Sequence, residues 1–146
     1  MSTKKQYQKL VAAACLQIQR NIVVMKPYLM NIIRYEGRNL TEKDANGIIK
    51  KMVIEGSVDE NLALSKNKRP YPFYVAKRDE LSFGRIIAPI RTALVKNEKL
   101  SIAEVSKMTG YSPIAARVLL THLLLMGEID YSGDMESPVF YVPWRH

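Results

Sequence analysis

Residues 102–130 read IAEVSKMTGYSPIAARVLLTHLLLMGEID, and the fold is decided in this stretch. Ala103 to Met108 form a short helix that Gly110 closes. One residue later, Ser112 stands as an N-cap with Pro113 at the first helical position, a strong start signal. The helix that follows runs to Gly127 and turns directly into the β-prone Glu128-Ile129-Asp130-Tyr131. A turn around Ser132-Gly133-Asp134 joins that strand to Val139-Phe140-Tyr141-Val142, which makes a hairpin. Upstream, Leu100-Ser101-Ile102 is a short extended run. Before it, Phe83, Ile86, Ile87, Ile90 and Leu94 fall at helical spacing. Pro89 lies inside that helix, which must kink there or start near it.

The first half of the chain has the same order: helix, short strand, helix, helix, hairpin. Tyr7, Leu10, Val11, Ala14 and Ile18 mark a helix over residues 4–20, and Ile22-Val23-Val24 a short strand. Pro27 opens a second helix carrying Leu29, Ile32 and Ile33, which ends near Gly37. Thr41 caps a third helix whose apolar face is Ala45, Ile48, Ile49, Met52 and Val53, and Gly56 stops it. Ser57-Val58-Asp59 and Tyr71-Pro72-Phe73-Tyr74-Val75 are strands flanking a polar loop. A shift of 71 lays Leu40–Asp59 on Tyr111–Asp130, so that Thr41 meets Ser112, Ala45 meets Ala116, Ile49 meets Leu120, Met52 meets Leu123 and Gly56 meets Gly127. Identities are few, but caps, core positions and stop glycines coincide. The boundary falls in the polar residues 76–82, dividing the chain into domains 1–78 and 79–146.

The run from Ile102 to Pro113, with its short helix, Gly, one apolar residue and Ser cap, resembles the winged helix-turn-helix superfamily, here in two tandem copies. The first copy departs from the pattern in a turn two residues longer, Gly37-Arg38-Asn39-Leu40-Thr41. The resemblance implies an α+β, mainly helical fold. It also implies that the third helix of a copy enters the major groove while the hairpin, or wing, touches phosphate or the minor groove. Carried onto the first copy, it makes Thr41–Glu55 the recognition helix, with Thr41, Lys43, Asn46, Lys50 and Lys51 toward DNA. Asn can bind adenine and Lys can reach guanine or phosphate. Gly47 allows close backbone approach, whereas Glu42 and Asp44 oppose a duplex. The wing Lys66-Asn67-Lys68-Arg69 has three cations in four residues and suits phosphate contact.

In the second copy only Arg117 among the outward residues is a good nucleic-acid group. Ile114, Val118, Leu124 and Leu125, with Leu119, leave that helix apolar nearly all round, and such a helix must be buried against something. Two readings stand open: a self-association or partner interface through Ile114, Val118, Leu124 and Leu125, or packing on the first copy.

The 146 residues carry 22 Lys+Arg against 14 Asp+Glu, a net charge of +8, with 47% apolar residues. Residues 1–79 hold 15 basic and 7 acidic residues and residues 80–146 hold 7 of each, so all the excess lies in the first half. That asymmetry points to a polyanion-binding half and a half with another task. A single cysteine excludes a disulfide framework or a cysteine zinc cage. Cys15 reads as a small core residue, and His122 and His146 have no ligand cluster around them. No phosphate-cradling glycine loop and no nucleophile elbow occurs. Trp144 reads as the edge of a core. The expectation is therefore no enzyme, cofactor or metal and no membrane span or secretory signal. It places a double-stranded DNA-binding transcriptional regulator in the cytoplasm at the nucleoid, or in the nucleus. Two rival readings are a tandem winged-helix protein scaffold without DNA binding, and a replication or genome-maintenance factor.

Overall fold

The computed structural model describes residues 3–38 and 40–143; Asn39, Trp144 and His146 fall outside them. The architecture is α+β, with six helices and two small three-stranded sheets among the described residues. The first set of elements is α1 (Lys4–Asn21), β1 (Val24–Met25), α2 (Lys26–Gly37), α3 (Glu42–Glu55), β2 (Val58–Leu64) and β3 (Pro70–Ala76). The second is α4 (Ser82–Lys96), β4 (Leu100–Ser101), α5 (Ile102–Thr109), α6 (Pro113–Leu125), β5 (Asp130–Ser132) and β6 (Val139–Tyr141). The sheets have the orders β1-β3-β2 and β4-β6-β5, so in each the last strand lies in the middle. In the second, Phe140 stands opposite Leu100 on one side and Tyr131 on the other, both antiparallel.

Local chemistry sets the helix ends. Thr3, Thr41 and Ser101 each form a capping box, with Gln6, Asp44 and Glu104 respectively, and Ser112 caps α6 through the Ala115 N–H. Gly56, Gly110 and Gly127 take positive φ after α3, α5 and α6. The 71-residue correspondence holds in shape: Thr41 and Ser112 both cap, and Ala45, Ile49 and Met52 are buried as are Ala116, Leu120 and Leu123. Three local expectations shift. Gly37 lies within α2 and the positive φ at its end falls on Arg38, so the following turn is only one residue longer than that between α5 and α6. Ile22 takes the α1 C-cap at φ 69°, which delays the strand to Val24. α4 continues through Pro89 as one helix.

The chain forms two compact units that no single cut separates. Unit 1 is Met1–Glu60 with Tyr74–Phe83; unit 2 is Asn61–Phe73 with Gly84–His146. The distal part of the β2–β3 hairpin thus belongs to unit 2, although its base belongs to unit 1. The core of unit 1 joins Leu10, Ala14 and Ile18 of α1 to Leu29 and Ile33 of α2, Ala45, Ile49 and Met52 of α3, and Val58 and Tyr74 of the hairpin base. Unit 2 buries Ile87, Ile90 and Leu94 of α4, Leu100, Val105, much of α6, and Phe140.

Charge follows the units rather than the halves of the sequence. Unit 1 holds 12 basic and 8 acidic residues and unit 2 holds 10 and 6, a net +4 for each. The basic half and neutral half of the linear sequence therefore have no counterpart in space, because Lys66, Lys68 and Arg69 are carried into unit 2 and Glu80 into unit 1.

Candidate nucleic-acid interface

The core face of α3 is Ala45, Ile49 and Met52. At 100° per residue the opposite face is the stripe Lys43, Gly47, Lys50 and Ile54. All four are exposed, Ile54 at 85%. Lys43 and Lys50 have no acidic partner among the described residues. A Cβ built on Gly47 meets nothing within 4 Å, so packing does not require glycine there. A mid-helix glycine costs about 1 kcal/mol relative to alanine, and what it provides at this position is bare backbone on the open face. Ile54 has no place in the apolar periodicity of the core face, which is why the sequence pattern does not single it out. Its angular position opposite Ala45 and Met52 is the signal that marks it as outward.

The other expected contacts on α3 are partly committed elsewhere. Thr41 Oγ1 accepts from the Asp44 N–H at 3.1 Å while Asp44 Oδ2 accepts from the Thr41 N–H at 3.3 Å. Thr41 is thus a cap, and the Asp44 charge is turned to the helix start, where the dipole favours it. Asn46 is half-buried, and its Oδ1 is enclosed without a hydrogen-bond partner among the described residues. Bidentate adenine recognition needs both ends of the amide at the surface, and this arrangement offers one. Lys51 Nζ sits 4.0 Å from the centre of the Tyr7 ring and 4.0 Å from a Glu55 carboxylate oxygen. The Tyr7 hydroxyl donates to the same carboxylate at 3.0 Å, and burial followed by that bond pushes its pKa up to about 12. Lys51, Tyr7 and Glu55 therefore tie α3 to α1.

Beside this stripe an open groove of about 1730 Å³ runs between α1, the end of α2 and the first half of α3, entirely within unit 1. Lys9, Arg38, Lys43 and Lys51 line it together with Glu36 and Asp44, Tyr7 and Tyr35.

The basic loop expected to act as a wing lies in unit 2, against the β5–β6 hairpin. Lys66 Nζ is 2.9 Å from Glu136 Oε2, and Lys68 Nζ lies 5.5 Å from the centre of the Tyr131 ring. The neighbouring Tyr131 side chain holds the Lys68 ammonium above its ordinary pKa. Ser65 closes the loop, its N–H donating to the Arg69 carbonyl at 2.9 Å and its Oγ accepting from the Arg69 N–H at 3.1 Å. Lys68 takes φ 61° in that tight turn. Glu136 is paired with Lys66, while Asp130 and Asp134 accept from backbone N–H groups of their own hairpin. Lys66 and Lys68 are exposed, and each has a neighbour on the second hairpin. Arg69 remains exposed.

α6 shows what holds the hairpin tip in unit 2. Eight of its residues, including Val118, Leu119, Thr121 and His122, are buried. His122 Nδ1 is 2.7 Å from the Leu62 carbonyl, and its ring meets Phe73 edge-on at 5.6 Å. Burial pushes the Tyr71 hydroxyl up in pKa, opposed by the neighbouring Thr121 side chain and the Arg117 charge. Arg117 donates to the Met135 carbonyl. The tip Asn61–Phe73 therefore covers α6 within the same chain. Val118, at 2% exposed, is core and not a docking residue. Leu124 and Leu125 are half-buried, and only Ile114 is well exposed, at 65%. Arg117 serves the second hairpin rather than an open surface. His122, set aside in the sequence for want of metal ligands, anchors the tip.

The described residues contain no cluster able to hold a metal ion. Cys15 is half-buried, its thiol pushed up in pKa by burial, the wrong direction for a nucleophile. No described helix is long and apolar enough to cross a membrane. No protein-family model matches the chain, and no curated protein matches it.

Proposed function

We propose that this chain is a double-stranded DNA-binding protein of tandem winged-helix type, acting as a transcriptional regulator through α3 of unit 1. The reading is supported by the order helix, strand, helix, helix, hairpin, present twice with the same sheet order. The observation that carries it is the Lys43-Gly47-Lys50-Ile54 stripe, exposed on a helix whose other faces are packed or tied down. A single helix fits the major groove, where Lys43 and Lys50 reach phosphate or guanine, the backbone at Gly47 approaches closely, and Ile54 offers apolar contact to a thymine methyl. The mechanism is occlusion of, or recruitment to, a promoter. The second copy is not needed for dimerisation in this reading, since Val118 is buried within the chain and Leu124 and Leu125 are half-buried.

The test is fluorescence anisotropy on duplex DNA across a salt series. Lys43→Ala with Lys50→Ala is expected to lower the salt slope by about 2, near 0.9 for each lysine–phosphate pair removed. Absence of binding by the unaltered protein at low salt would overturn the proposal and return the scaffold reading to first place.

A further inference from the structure

The groove beside α3 has a feature that duplex recognition leaves unused. Tyr35, near the end of α2, lines it and is 82% exposed. A tyrosine with a packing role is buried over most of its ring, as Tyr74 is at 1% exposure. Around Tyr35 the groove presents Lys9 of α1, Arg38 at the α2 end and Lys43 of α3. None of the three has an acidic partner among the described residues. Of the two lining carboxylates, Asp44 is engaged in the α3 cap, which leaves Glu36 against these cations. At about 1730 Å³ the groove is larger than the roughly 300–1,000 Å³ usual for small-molecule sites, so it fits a polymer better than a compact ligand.

We infer that this groove holds an unpaired DNA strand, its phosphates on Lys9, Arg38 and Lys43 and one base stacked on Tyr35. Cations that track a backbone beside an exposed aromatic ring are the two requirements of single-strand binding. An intact duplex keeps its bases inside the stack and cannot place one on Tyr35. Lys43 belongs to both the groove and the α3 stripe, so strand and duplex meet at one residue. The preferred DNA is then a duplex continued by a single-stranded tail. This inference rests on the proposed DNA binding by α3.

The experiment compares the full chain on a blunt duplex, on the same duplex with a ten-nucleotide oligo-dT tail, and on the tail alone, by anisotropy at fixed salt. The tail is expected to tighten binding about tenfold, the value of one good base–aromatic stack. Tyr35→Ala should remove that gain and leave blunt-duplex affinity unchanged, and Tyr35→Phe should keep it. Because the side chain is exposed, both variants should fold like the parent, checked by circular dichroism. Equal affinity for blunt and tailed DNA, or a gain that survives Tyr35→Ala, overturns the inference while leaving the α3 reading intact. Binding of the tail alone, abolished in Tyr35→Ala, with no binding of blunt duplex, supports the groove and overturns the α3 reading. No binding of any of the three DNAs overturns both.

Discussion

Replacing Phe73 by alanine tests whether the hairpin tip is part of unit 2. Phe73 is fully buried, and its ring contacts His122 edge-on at 5.6 Å and 79° between planes. Truncating a buried phenylalanine costs about 3–5 kcal/mol, the ring pair accounting for about 0.5–1.5 of it. Phe73 lies near one end of the tip segment, where partial collapse can refill some of the space, so the low end applies: about 3 kcal/mol. For a body of this size each kcal/mol moves the midpoint by about 4–8 °C, which gives a fall of at least about 12 °C in Tm. Urea and thermal unfolding followed by far-ultraviolet circular dichroism measure the loss, and hydrogen exchange locates it. The α6 amides should lose protection, because the Leu62 carbonyl bonded to His122 shifts with the tip. A loss below about 1 kcal/mol, with α6 exchange unchanged, would refute the packing of the tip on α6.

Two further outcomes follow from the same geometry. A fragment of residues 79–146 lacks Asn61–Phe73 and should expose the apolar face of α6, binding a hydrophobic dye and associating with rising concentration in sedimentation. A monomeric 79–146 that binds no dye would show that α6 needs no cover. Gly47→Ala should raise stability by about 0.5–1 kcal/mol, since the site is open and helical. It should also weaken duplex binding in the anisotropy assay; unchanged affinity would remove the backbone at Gly47 from the interface.

Much of the fold is legible in the sequence because it depends on neighbours three or four residues apart. Thr41 and Ser112 announce their helices, Gly56 and Gly127 stop them, and the apolar period of α3 names its buried face. The departures are also local in origin. A glycine near a helix end suggests the C-cap, but α2 runs one residue further and leaves that conformation to Arg38. The candidate site is less legible. Lys43 and Lys50 are visible as outward cations. Tyr35 does not stand out, because an exposed aromatic residue looks like a core residue until its burial is known, and Ile54 is marked as outward only by its angle on the helix. Asn46 looks like a base contact because residue type does not reveal that an amide oxygen is enclosed, whereas Thr41, legible as a cap, spends its hydroxyl on the Asp44 N–H.

The sequence by itself determined the elements, their order, their ends and the repetition of the whole pattern, since each rests on short-range hydrogen bonds and on one periodic apolar face. It also showed that α6 carries more apolar surface than one small core can take. Only the tertiary structure decided what covers that surface. The contacts that hold the hairpin tip in unit 2, Leu62 and Phe73 with His122 and Lys66 with Glu136, join residues about 50 to 70 positions apart. A hairpin's own pattern fixes which side chains share a face but not what that face will meet. That choice carried three cations into unit 2 and drew the charges of the two units together.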